Sequence, residues 1–141
     1  MKFVSSQEVI EFHDRLISRD GGVAGMPEPG RADAIIHRVL NMHHYEGVTD
    51  IIDLAAVYLV AIARGHIFND ANKRTALFVA QVFLKRNGVH IISSRISFDE
   101  MQIIALNAAT GEYNWKMVSD HLKAIKFPAF GVDYTVCDSP R

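Results

Sequence analysis

IIDLAAVYLVAIARGHIFNDANKRTALFVAQVFLKRNG, residues 51–88, decides the fold. Its first half repeats at helical spacing. Ile51, Leu54, Ala55, Tyr58, Leu59 and Ile62 follow the i, i+3, i+4 rule, with Thr49 or Asp50 as the cap. Gly65 is expected as the C′ glycine of that helix. The short loop HIFND then leads into a second helix over about 71–87. Asn87-Gly88 stops it, after Lys85 and Arg86 have placed positive charge at the negative end of the dipole. The apolar period is 3.6 on both sides of the loop, which selects helices over strands.

The same period runs outward in both directions. Ser5 with Glu8 reads as a capping box before a helix to about Ser18, with Val9, Ile10, His13, Leu16 and Ile17 inward. DGGVAGMPEPG, residues 20–30, holds four glycines and two prolines and reads as a loop. A helix over about Arg31–His44 follows, with Ile35, Ile36, Val39, Leu40 and His43 inward. Downstream, Val89 to Ile92 is a candidate brief strand or extended link. Ser97 with Glu100 reads as a second capping box, opening a helix to about Ala109 with Met101, Ile104, Ala105 and Ala108 inward. Thr110-Gly111 breaks it, and a last helix over about Asn114–Lys126 turns Trp115, Val118, Leu122 and Ile125 inward. The expected class is all-α: a compact bundle of about six helices over residues 1–126, with an irregular C-terminal tail over 127–141.

A chain of 141 residues, about half of them apolar, is one domain with a real core. Fifteen basic residues against sixteen acidic give a formal charge of −1, which argues against broad electrostatic capture of nucleic acid. A single cysteine, Cys137, excludes an internal disulfide and suits a reducing cytoplasm. The N-terminus has no apolar h-region, and no apolar run is long enough to span a membrane. A cytoplasmic location is expected.

The polar residues between the two central helices carry the chemistry. A helix start exposes unpaired N–H groups and the positive end of the dipole, so acids belong there. Here Asn72, Lys73 and Arg74 stand in or just before the first turn. Two cations against the dipole cost roughly 0.3–1 kcal/mol each, and a phosphate ligand accounts for them. Asp70 beside them would repel a phosphate unless a divalent cation bridges the two, as Mg²⁺ does. Histidine is the side-chain type suited to base work near neutral pH, and His66 lies in the loop. Phe68 reads as the anchor that fixes where His66 points. A base, a metal carboxylate, an amide and a cationic cradle together read as phosphoryl or nucleotidyl transfer.

HIFNDANKR, residues 66–74, resembles the Fic/Doc signature His-x-Phe-x-(Asp/Glu)-(Gly/Ala)-Asn-(Gly/Lys)-Arg at every fixed position. The surroundings resemble the Doc (death-on-curing) branch: His13-Asp14, ISRDGGVAGM, PGRADAIIHRV, FLKRNGV and AATGE at 108–112. The resemblance covers about residues 8–125. Two positions depart from the Fic pattern. Lys73 replaces the usual glycine, and Leu77 stands where a second arginine is expected. Fic enzymes that transfer AMP use both around the nucleotide phosphates. The Doc branch shares the departures and transfers the terminal phosphate of ATP.

The resemblance therefore implies a toxin kinase of a type II toxin–antitoxin system, using ATP and Mg²⁺. Its implied target is a threonine of elongation factor Tu, with arrest of translation. It implies His66 as base, Asp70 as Mg²⁺ ligand, and Asn72, Lys73, Arg74 and Arg64 around the phosphates. No inhibitory Ser/Thr-x-x-x-Glu helix is found in the chain, so inhibition is implied in trans, by the C-terminal helix of a Phd-type antitoxin. Gly21, Gly22 and Gly25 are the candidate flap that docks the target. The alternatives are AMP transfer to a protein hydroxyl and a catalytically silent partner-binding module.

Other conspicuous residues read as structural. His13 and His43 fall on inner faces and are taken as core histidines. His43-His44 cannot share a helix face, which argues against a metal pair. Tyr58 and Trp115 are read as core or rim, and Cys137 as inert.

Overall fold

The computed structural model describes residues 1–89 and 95–126. Six helices follow in order: α1 (Ser6–Asp20), α2 (Arg31–His44), α3 (Ile51–Arg64), α4 (Asn72–Arg86), α5 (Arg95–Thr110) and α6 (Trp115–Lys126). No strand occurs among the described residues. The expected tail over 127–141, Cys137 within it, lies outside them, as does most of the expected link over 89–92.

α3 is the axis of the bundle, packed by α2, α4, α5 and α6, while α1 closes against α2 and α4. A helix covered on so many sides must be apolar nearly all round. Leu54, Ala55, Tyr58, Leu59 and Ile62 are indeed fully buried. Asp50 caps the helix, its carboxylate accepting from the N–H groups of Ile52 at 2.8 Å and Asp53 at 3.0 Å. Tyr58 bonds Val4 twice, donating its hydroxyl to the carbonyl and accepting from the N–H. Burial pushes that phenol up to about 12, so it stays neutral.

The Ser5–Glu8 capping box is formed as expected. Glu8 also makes a two-pronged ion pair with Arg86 at the end of α4, and Arg86 reaches the Phe3 carbonyl at 3.1 Å. The Arg86 hydrogen bonds hold the Glu8 carboxyl down, from 4.5 to about 2. A depressed carboxylate stabilises the fold above its unfolded pKa, and that stability is lost as pH falls through the folded one. The loss therefore falls between about pH 4.5 and pH 2. Each side chain is 32% exposed, and solvent screening leaves the pair worth about 1 kcal/mol. In acid titrations followed by circular dichroism, Glu8→Gln is expected to be less stable than wild type at pH 7. The gap should close near pH 2.

Three local expectations are corrected. α5 begins at Arg95, so Ser97 lies inside it rather than at a cap. Phe12 belongs to the inner face of α1, whereas Ile10 and Ile17 are only half-buried. Gly65 is not a left-handed C′ residue, since its φ is −78°. A Cβ there would lie 2.6 Å from the Ala61 carbonyl and 3.0 Å from Ile35, so close packing demands the glycine.

Candidate active site

The loop between α3 and α4 is short and heavily held. Arg31 of α2 donates to the Gly65 carbonyl at 3.3 Å. The next residue, His66, has φ +49°, a left-handed conformation uncommon outside glycine. That turn lifts its side chain into solvent. Ile67 and Phe68 then plunge into the core, at 0% and 3% exposure. Phe68 lies flat against the buried ring of His13, with centroids 3.6 Å apart and planes within 2°. The expected anchor is thus real, and His13 is its partner.

Asp70 is wrapped by backbone. Its Oδ1 accepts from the Ala71 N–H at 2.8 Å and its Oδ2 from the Val23 N–H at 2.9 Å. These two hydrogen bonds, Val23's first, hold its carboxyl below the usual range, so it is charged at neutral pH. Ala71 is the second left-handed non-glycine residue, at φ +65°, and it starts α4 without a side-chain cap. The start of α4 therefore carries no side-chain cap for its N–H groups, and no acid stands in its first turn.

Lys73 is exposed at this helix start and Arg74 half-buried, its guanidinium 3.1 Å from the Gly21 carbonyl. Arg64 is exposed at the end of α3, and its guanidinium lies against Gly111 in the α5–α6 turn. Asn72, expected among the phosphate holders, opens α4. Its amide closes a ring on Phe68, accepting from the N–H at 3.1 Å and donating to the carbonyl at 2.9 Å. Both ends of the side chain hold the loop. Leu77, where a second arginine would stand, is 7% exposed and part of the core.

The glycine loop after α1 folds directly over this loop. Asn69 bonds the Gly25 carbonyl through its N–H and the Ala24 carbonyl through its side chain. Gly22 sits at φ +128°, and a Cβ there would be 2.8 Å from Asp70 Oδ2, 2.8 Å from Ile17 and 3.0 Å from Arg74. Gly21, at φ +87°, has nothing within 4 Å of such a Cβ. Gly22→Ala is therefore expected to displace the loop from Asp70. Limited proteolysis should cut the loop faster, and transfer activity should fall about ten-fold, from roughly 1–3 kcal/mol of strain. Gly21→Ala carries only the φ cost and should change both less.

A family model described as the Fic/DOC family matches residues 3–84. The chain is also 50% identical, over 125 residues, to the curated "Protein kinase doc" of Escherichia phage P1, covering 89% of this chain and 96% of that protein. The chain belongs to the Fic/Doc family. Its motif loop places Asp70, Lys73 and Arg74 at the start of α4, with His66 exposed in the loop that leads there.

Sequence reasoning missed three supports: His13, Arg31 and the backbone of the glycine loop. His13 carried a signal, a histidine at an inward position beside Asp14. Burial alone gave no hint that it faces the motif loop.

Proposed function

We propose that this chain is a Doc-type toxin, a protein kinase that moves the γ-phosphate of ATP to a threonine or serine hydroxyl of a translation factor. Elongation factor Tu is the proposed target, in the cytoplasm. The observation that carries phosphorylation over AMP transfer is the pair Lys73 and Leu77. A cation stands where AMP-transferring relatives keep glycine, and the second arginine position is a core leucine. The half-identical relative that bears the name of a protein kinase supports the same reading.

In this reading His66, exposed at the loop, accepts the proton of the target hydroxyl. The hydroxyl oxygen bonds to the γ-phosphorus, the bridging bond to the β-phosphate breaks, and ADP leaves with that electron pair. Lys73, Arg74 and the free N–H groups of α4 offset the phosphate charge. Arg64 completes the cradle from the end of α3. The donor set fits Mg²⁺, because Asp70 is ionised and each oxygen keeps a lone pair beyond its N–H bond. Among the described residues no cluster of three potential ligands occurs, so phosphate oxygens and water would complete the coordination. Bound there, the ion neutralises charge on the phosphates.

The glycine loop at 21–25 is the proposed docking flap for the target. A Phd-type antitoxin is the proposed inhibitor. The groove between α1 and α4 suits its C-terminal amphipathic helix, with a cavity of about 370 Å³ lined by Phe12, Arg15, Leu16, Ser18, Arg19 and Phe78. Phe78 lies one turn beyond Arg74 on α4, so an occupant reaches the phosphate cradle. Arg15 and Arg19 favour acidic residues on that helix.

The test is expression in a bacterium followed by recovery of elongation factor Tu. The expected result is halted protein synthesis and a phosphorylated threonine. An AMP-modified factor, or an unmodified one while synthesis stops, contradicts the proposal.

A further inference from the structure

We propose that His13 is a positioning residue: from the core it fixes the Asp70–Ala71 peptide, and through that peptide the orientation of the Asp70 carboxylate. The inference rests on the reading of Asp70 as the metal-facing group. His13 is 0% exposed, and its Nε2 lies 2.9 Å from the Asp70 carbonyl oxygen. A carbonyl only accepts, so Nε2 carries the proton and donates. Its Nδ1 faces Asp14 at 3.0 Å, and its ring is clamped by Phe68.

The Asp70 carbonyl needs that donor. α4 begins at Asn72, and the helix ladder starts one carbonyl later, with the Thr75 N–H on Ala71 at 3.0 Å. The Asp70 carbonyl therefore lies outside the ladder, and its partner is the buried His13 side chain. The peptide is planar and trans, so its C=O and N–H point in opposite directions. Pinning the Asp70 carbonyl to His13 aims the Ala71 N–H the other way, where it meets Asp70 Oδ1 at 2.8 Å. One donor in the core thus sets one donor at the carboxylate. It also helps to hold Ala71 at φ +65°, which a non-glycine residue keeps only when its surroundings enforce it.

A mere core filler would be replaceable by any ring of that shape. His13→Phe keeps the ring and removes the N–H. His13→Gln loses the ring but places an amide N–H at the same number of bonds from the backbone. Two readouts on the purified full chain separate the roles: amide hydrogen exchange at Ala71, and calorimetric affinity for Mg²⁺ with a non-hydrolysable ATP analogue.

In folded His13→Phe, Ala71 exchange should rise about ten-fold and the affinity should fall about ten-fold, the lower end of the range for losing a ligand's supporting partner. The kcat should fall while KM for the protein target holds. His13→Gln should recover both readouts to within about three-fold. Wild-type behaviour of His13→Phe, or a folded His13→Gln no better than it, overturns the inference. If His13→Phe does not fold, His13→Gln decides alone: retained protection and affinity support the role, and loss of either overturns it. Asp70→Asn is the reference. If it binds the metal nucleotide like wild type, the assignment of Asp70 is at fault, and Ala71 exchange in His13→Phe still tests the positioning.

Discussion

Replacing His66 by alanine is expected to lower phosphoryl transfer by roughly 10²–10⁴-fold, the usual contribution of a positioned general base. The melting temperature should not move. The imidazole is exposed, so its removal opens no cavity in the core. Removing the Cβ-linked ring at φ +49° leaves alanine in the same left-handed conformation, with the loop still held by Arg31 and by Phe68. Nucleotide affinity should also hold, because the groups proposed to face the phosphates, Lys73 and Arg74 of α4 and Arg64 of α3, are untouched. The check is a rate assay with the purified variant beside a thermal melt and a nucleotide titration. A fall in rate with unchanged melting and binding isolates His66 as the base. A variant that still phosphorylates at near wild-type rate removes it from the mechanism.

Asp70→Asn is expected to cost about 3 kcal/mol or more of transition-state stabilisation, roughly a 10²-fold loss of rate. Two effects combine. The negative charge that in the proposed mechanism balances a divalent cation among phosphates is gone. In addition, one carboxylate oxygen becomes an NH₂ group, which cannot accept from either Val23 or Ala71. One of the two N–H groups is then left facing a donor, and the glycine loop loosens or the Asp70–Ala71 turn does. Rate against Mg²⁺ concentration should show a higher requirement in the variant, and chelation should abolish transfer in the wild type. A variant with an unchanged metal requirement contradicts the assignment of Asp70.

Most of the helical frame was legible because it is local. The apolar stripe of α3, the Asp50 cap and the Ser5–Glu8 box are encoded within a turn or two of sequence. What was not legible depends on contacts across the chain. Gly65 looked like a left-handed cap, but its reason is Ile35, on another helix. Nothing in the spacing shows that the Asn72 amide folds back on Phe68. His13 was placed correctly in the core, yet its bond reaches 57 residues ahead. The motif itself was fully legible in composition. The left-handed backbone at His66 and Ala71 was not, because neither residue type announces a positive φ.

The apparent mismatch at the start of α4 persists in three dimensions. Lys73 and Arg74 stand at an uncapped, acid-free helix start, and the Asp70 carboxylate is taken up by backbone N–H groups rather than by a close ion pair with them. In the proposed mechanism that positive charge meets the phosphates. The most direct measurement incubates the purified protein and a bacterial extract with ATP labelled at the γ- or the α-phosphate. Label from the γ position on one protein, lost with His66→Ala, is the predicted result. Label from the α position contradicts the account.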